Sequence, residues 1–221
     1  MSCRGRKKTP RDTYPTPAWC TRLLLRTVPL PPGRWLEPSA GSGGIMRAVS
    51  DVRTDPKHGS DVRWTAVEID RDLAAQANDA IPGDQIEALY CRDFLDPDTL
   101  NMLSRCGPFD AVVANPPYGG RLDLACKFVR ACMPLANVLC FLLRLNWIAG
   151  GGRPTARSVW LSAHMPQRGV VMAQRPSFDG KGTDGAEYVW FVWRRPYDRT
   201  ETTLQVVRCI PWDHQVGEGE R

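Results

Sequence analysis

No apolar run in the 221 residues approaches the roughly 20 that a membrane-spanning helix needs. The first residues are basic and polar, without the apolar stretch of a signal peptide, so an intracellular, cytoplasmic protein is expected. Eight cysteines are present (3, 20, 91, 106, 126, 132, 140 and 209), but none forms a CxxC pair, which argues against a disulfide framework or a zinc site. No metal is expected. Several of these cysteines sit inside apolar runs and read as small core residues. The sequence has no internal repeat and no low-complexity segment. Net charge is scarce outside the first twelve residues. Arg4, Arg6, Lys7, Lys8 and Arg11 against Asp12 hold nearly all of the overall +5, so the rest of the chain is close to neutral. A basic arm of this kind can follow a phosphate backbone, or it can be a solvated tail.

What is present is the composition of an ordinary globular protein, 43% hydrophobic and 24% charged, in a length that suits one α/β domain. Strand-like and helix-like runs alternate, which argues for a mostly parallel sheet covered by helices. Strands are expected over 34–37, 63–69, 86–91, 109–114, 138–143, 168–173 and 188–193. Helices are expected over 17–26, 43–49, 72–80, 96–104 and 122–131. The fourth strand carries an unbroken apolar run from Ala111 to Ala114, as expected in the middle of a parallel sheet. Residues 1–12 read as a flexible tail, 13–213 as one domain and 214–221 as a frayed end.

Glu37-Pro-Ser-Ala-Gly-Ser-Gly-Gly44 lies at a strand-to-helix junction, where glycines let the backbone turn tightly and approach a ligand. Dinucleotide enzymes share such a turn, so alone it is weak evidence. The second strand ends in Ala66-Val-Glu-Ile-Asp70, with Glu68 lying 25 residues after Gly43. An acid there can bind the ribose hydroxyls of a nucleoside ligand. The third strand ends in Cys91-Arg-Asp-Phe94, where Asp93 can accept from an adenine amino group and Phe94 can pack on the ring. One acid at a strand end is commonly a helix cap. Three of them (Glu37, Glu68 and Asp93) at the ends of successive strands point to a ligand, because that edge is where open α/β sheets bind them.

The fourth strand ends in Asn115-Pro-Pro-Tyr118. In isolation the tetrapeptide could be a turn, but here it follows a buried strand expected beside the first. The amino group of an aromatic base is a poor nucleophile, because its lone pair is delocalised into the ring. Two acceptors aimed at its hydrogens, the Asn115 side-chain oxygen and the Pro116 carbonyl, would draw the nitrogen toward a tetrahedral geometry. Pro116 and Pro117 stiffen that backbone, and Tyr118 could stack on the base. A sulfonium methyl would then be transferred in line, through positioning and electrostatics alone.

The combination EPSAGSGG, AVEID, CRDF and ANPPY, in that order, resembles the S-adenosylmethionine-dependent amino-methyltransferase family, above all its N6-adenine DNA members. The resemblance covers roughly residues 14 to 193. It implies a Rossmann-like methyltransferase fold, with a seven-stranded, mostly parallel sheet between helical layers. Tyr14-Pro-Thr-Pro-Ala-Trp19 is similar to the Thr-Pro segment that lines the methionine end of the cofactor in that family. By this resemblance S-adenosylmethionine would be held by Thr16, Pro17, Glu37, Ser39, Gly41, Glu68, Ile69, Asp93 and Phe94. Asn115, Pro116, Pro117 and Tyr118 would form the catalytic motif. The stretch from Arg175-Pro-Ser-Phe178 to Trp190-Phe-Val-Trp193 looks like small phage-type members, which would set Phe178 opposite Tyr118 across a flipped base.

The departure from the family is the small room left for a target-recognition region after the fifth strand, so weak or short sequence specificity is expected. Arg144, Arg153 and Arg157, with loops over 150–157 and 177–181, are candidate nucleic-acid contacts or ordinary surface charge. Nucleic acid is the expected partner, DNA before RNA, although nothing reports a 2′-hydroxyl contact. Glutamine methylation in a protein uses the same motif, usually behind a helical domain of its own. Two other classes stay open. A nicotinamide oxidoreductase would leave Asn115-Pro-Pro-Tyr118 unexplained, and a non-catalytic cofactor-binding subunit would have no need of it.

Overall fold

The computed structural model describes residues 15–53, 62–118, 123–149, 154–178, 184–197 and 200–208. The tail expected over 1–12, the end over 214–221, Arg153 and most of the two glycine-rich loops lie outside these residues. Among the described residues the strands are β1 (Gly33–Glu37), β2 (Val62–Glu68), β3 (Ile86–Cys91), β4 (Phe109–Ala114), β5 (Ala136–Arg144), β6 (Arg168–Met172), β7 (Tyr188–Arg194) and β8 (Thr203–Val207). The helices are α1 (Ala18–Thr27), α2 (Gly44–Arg53), α3 (Arg71–Asn78), α4 (Pro97–Cys106), α5 (Asp123–Cys132) and α6 (Ala156–Leu161).

All eight strands form one sheet in the order β3-β2-β1-β4-β5-β7-β6-β8. β7 runs antiparallel to β5 and β6, and every other pair is parallel. The seven strands expected from the sequence are all present. The eighth, β8, pairs with β6 at the sheet margin and is exposed along nearly its whole length. With both faces bare it shows no alternation of apolar and polar residues, so the sequence does not mark it as a strand.

The central strands are apolar throughout because successive side chains enter different cores. Trp35, Ala111, Val113, Cys140, Leu142 and Trp190 face one layer, with Cys20, Leu24, Met46 and Ala77 from α1 to α3. Leu36, Val112, Leu139, Phe141 and Phe191 face the other, with Leu103, Val129 and Leu161 from α4 to α6. Two of the tryptophans that fill these layers pair their N–H groups with backbone carbonyls. Trp190 Nε1 donates to the Cys20 carbonyl at 2.8 Å, and Trp193 Nε1 donates to the His164 carbonyl at 2.9 Å. The first of these bonds ties α1 to β7.

Helix starts follow ordinary capping chemistry. Asp70 accepts from the N–H groups of Asp72 and Leu73 ahead of α3. Asp96 accepts from Thr99 ahead of α4, with Pro97 as the first helical residue. α6 opens on a reciprocal capping box between Thr155 and Ser158. Because β1 to β5 are parallel, Glu37, Glu68, Asp93, Asn115 and Arg144 are all delivered to one edge of the sheet. β7, running the other way, begins at that edge with Tyr188. The chain order reverses across β1 and β4, which makes that point of the edge the natural ligand crevice.

Candidate active site

The loop from β1 to α2 carries two left-handed glycines, Gly41 (φ +55°) and Gly43 (φ +79°). They serve different purposes. A Cβ on Gly43 would stand 2.6 Å from the Ala80 Cβ, so that glycine lets α2 start close against the end of α3. A Cβ on Gly41 would meet nothing within 4 Å, so the space above Gly41 is open. The Gly41 N–H donates to Glu68 Oε2 at 2.8 Å, and the Asp70 N–H donates to Glu68 Oε1 at 2.9 Å. Glu68 thereby fixes both the glycine loop and the end of its own strand. Beside it Ile69 is 50% exposed, an apolar side chain presented at the crevice.

Glu37 closes β1 and is only 2% exposed, and its Oε2 has no hydrogen-bond partner among the described residues. Burial, and secondarily the nearby Glu68 carboxylate, push its carboxyl well above the usual carboxylate range. A desolvated acid next to another acid is electrostatically incomplete, and a cation arriving between them would complete it.

Asn115 is held from two sides. Its Nδ2 donates to Thr16 Oγ1 at 3.1 Å, and its Oδ1 accepts from the Tyr118 hydroxyl at 2.8 Å. Ser39 Oγ donates to the Asn115 carbonyl at 3.4 Å, which joins the glycine loop to the Asn-Pro-Pro-Tyr turn. The Thr-Pro segment thus meets the end of β4 despite the separation in sequence. Thr16 is buried and also lies against Gly44, while Pro17 is the residue from which α1 starts. Pro116 is buried, and Pro117 and Tyr118 are half-buried.

The remaining residues expected at the site are more dispersed. Asp93 is exposed and accepts from the Leu95 N–H at 2.9 Å. Phe94 is 2% exposed and stacks on Phe128, with ring centroids 5.1 Å apart, inside the core beneath α5. Phe178 packs edge-on against Tyr188 at 4.9 Å, and Tyr188 lies 6.1 Å from Tyr118, so Phe178 and Tyr118 are linked through a third ring. Tyr188 and its hydrogen-bond partner Asp184 were not expected at the site. Tyr188 reads in the sequence only as the first residue of a buried strand. Burial and the bond to Asp184 push the Tyr188 phenol up to about 12, and burial holds the Tyr118 phenol well above its ordinary value. Both hydroxyls are therefore donors at neutral pH. Of the candidate nucleic-acid arginines, Arg157 donates to the Ala149 carbonyl at 3.4 Å, and Arg144 joins the tyrosine cluster.

The fold recurs in solved structures. The fold is that of class I S-adenosylmethionine-dependent methyltransferases. A candidate class I methyltransferase of Listeria monocytogenes superposes with a TM-score of 0.63 at 14% identity, over 92% of this chain and 68% of its own. The type I restriction-modification methyltransferase subunit of Streptococcus thermophilus superposes with a TM-score of 0.62 at 14% identity, over 88% of this chain. This chain spans only 47% of that subunit's length. A candidate RNA methyltransferase of Pyrococcus horikoshii gives a TM-score of 0.57 at 14% identity, over 86% of this chain and 91% of its own. No known family profile and no curated protein sequence matches the chain.

Proposed function

We propose that the protein is an S-adenosylmethionine-dependent methyltransferase acting on the N6 amino group of adenine in DNA. The observation that carries this reading is Asn115. Its amide is clamped by Thr16, its oxygen turns toward the turn's own tyrosine, and its backbone is tied to the glycine loop through Ser39.

The strand-end residues fit the cofactor in charge and shape. Glu37, buried with an unpartnered oxygen, fits a cationic ligand. Glu68 would accept from the ribose hydroxyls, Ile69 would cover an apolar face, and Asp93 would serve the adenine end, while Phe94, stacked on Phe128 in the core, would back that end from beneath. The open space above Gly41 leaves room for the ligand to approach the backbone. When bound, S-adenosylmethionine supplies an electrophilic methyl group.

The chain's own residues then act on the acceptor. Asn115 Oδ1 and the Pro116 carbonyl accept the two amino hydrogens and localise the nitrogen lone pair. Thr16 keeps the amide from rotating away. Tyr118 holds the base by its ring, and its hydroxyl, which now occupies Asn115 Oδ1, has the Leu142 carbonyl at 3.2 Å as a second acceptor. The incoming amine can therefore take Asn115 without leaving the phenol unpaired.

Some of the structural neighbours are described as modification subunits of restriction systems, which is consistent with DNA. RNA adenine is the second reading, because a neighbour of similar size, covered to 91% of its length, is described as a candidate RNA methyltransferase. The test supplies methyl-labelled S-adenosylmethionine with duplex DNA, total RNA or a protein extract, then identifies the product by nucleoside mass spectrometry. N6-methyladenine in DNA, lost in Asn115→Ala, is the expected result. Label confined to RNA or protein would replace the substrate, and cofactor binding without transfer to any acceptor would reject the enzyme reading.

A further inference from the structure

One cluster at the crevice is not accounted for by cofactor or amine chemistry. Arg144 is the last residue of β5 and Tyr188 the first of β7, and the two are direct cross-strand partners. The Arg144 guanidinium lies 5.7 Å from the centroid of the Tyr118 ring. Its Nε donates to the Tyr188 hydroxyl at 3.3 Å, and its Nη2 donates to Asp184 Oδ2 at 3.4 Å. The Tyr188 hydroxyl donates to the same Asp184 oxygen at 2.6 Å. Asp184 thus fastens both the arginine and the tyrosine, and both of these bear on Tyr118.

We infer that Arg144, anchored by Asp184 and Tyr188, is a positioning residue that fixes the Tyr118 ring for stacking on the target base. The inference rests on the reading of Tyr118 as the base-holding residue. Its physical basis is the two-way hydrogen bond of Tyr118. The phenol must pass from Asn115 Oδ1 to the Leu142 carbonyl as the amine enters, so its own hydroxyl cannot hold the ring still during that exchange. A planar cation packed near the ring, itself held by two partners, can do so. Leu142 is two residues before Arg144 on β5, so the second acceptor and the clamp stand on the same strand. Asp184 also offsets the arginine's charge, which makes the group a neutral clamp rather than a phosphate site.

The alternative use of Arg144 is a direct contact with the nucleic-acid backbone, and removing the positive or the negative charge of the cluster separates the two. Wild type, Arg144→Ala, Arg144→Lys and Asp184→Asn are compared for kcat and KM on duplex DNA, for the salt dependence of DNA binding, and for S-adenosylmethionine affinity as the folding control. Positioning predicts that Arg144→Ala lowers kcat about tenfold, the worth of a partly buried cation–aromatic contact. KM for DNA, the salt slope and cofactor affinity stay within about twofold. Arg144→Lys, which keeps the charge but not the planar fork, recovers only part of the loss. Asp184→Asn lowers kcat as well, although it removes a negative charge from the crevice. A phosphate contact predicts the opposite: Arg144→Ala raises KM and flattens the salt slope, while Asp184→Asn tightens binding at unchanged kcat. That result, or variants equal to wild type in every reading, overturns the inference while leaving the methyltransferase reading intact. A wild-type protein that binds cofactor but methylates no adenine overturns the reading, and the inference with it.

Discussion

Glu37 links the proposed cofactor site to the stability of the protein. In the unfolded chain it ionises at the ordinary carboxylate value, while in the folded chain it keeps its proton to higher pH. The folded state therefore binds more protons across that window. Its contribution is fully present below the unfolded value and is lost as pH rises through the folded one. Glu37→Gln is expected to remove this slope and to stabilise the ligand-free protein at neutral pH, read as denaturation midpoint against pH. The same substitution is expected to weaken S-adenosylmethionine binding by about tenfold or more, since a charge-assisted contact is lost. A wild-type midpoint independent of pH in that window would show that Glu37 is not desolvated. Tyr118 gives a second prediction at this scale. Tyr118→Phe removes the hydroxyl that competes for Asn115 and is expected to raise turnover by roughly two- to tenfold, the worth of one neutral hydrogen bond. Tyr118→Ala removes the stacking surface and is expected to lower turnover by about 10- to 100-fold. Equal losses in both would show that the hydroxyl assists the reaction.

At the level of elements, the glycine loop separates folding from binding. Gly43→Ala forces a left-handed residue into the Ala77–Ala80 backbone. It is expected to cost about 1–3 kcal/mol of stability, measured by urea titration. Gly41→Ala meets no neighbour, so it is expected to cost about 1 kcal/mol through its φ alone. Its larger effect should be on cofactor affinity, measured by calorimetry. A Gly41 variant that loses stability but not affinity would place the ligand elsewhere.

The same scale explains what the sequence could show. β4 was legible because an unbroken apolar run bounded by Asp110 and Asn115 suits a strand covered on both faces. α4 was legible because Asp96 and Pro97 mark a helix start. α6 was not, because six residues carry less than two turns of periodicity and its start is written in a Thr155–Ser158 reciprocity that resembles a loop. The Asn115-Pro-Pro-Tyr118 turn stood out in the sequence because its residue types suit the proposed amine chemistry. The Arg144–Asp184–Tyr188 group did not, because it exists only through the register of β5 on β7, which no local pattern encodes.

For the whole molecule, the two faces of the sheet are held by aromatic layers, and some of their polar atoms are paired across long stretches of chain. Trp190 is the clearest case, fully buried and bonded to Cys20 at the other end of the sequence. Trp190→Phe removes that bond and opens space under α1. It is expected to lower stability by about 2–4 kcal/mol, read as a lower urea midpoint at unchanged slope. An unchanged midpoint would mean that α1 docks independently of β7. The chain is also short beside the restriction subunits it superposes on, of whose lengths it covers about half. If the proposed reading holds, the described fold by itself is expected to give a methylation profile with a short or loose consensus, since no separate recognition module stands among the described residues. A long fixed consensus would require a recognition element outside the described fold.

The position of β7 also matters during synthesis. β5 is densely apolar, with Leu139, Cys140, Phe141, Leu142 and Leu143 all fully buried, yet one of its edges is closed only by β7. β6, made earlier, cannot close it, because β6 takes its own place on the far side of β7. On the ribosome, at about 5–20 residues per second, that greasy edge stays open for several seconds until Tyr188 to Arg194 emerge and slide between two strands already made. Premature stop codons between β5 and β7 should therefore yield sticky, chaperone-dependent fragments rather than smaller soluble proteins.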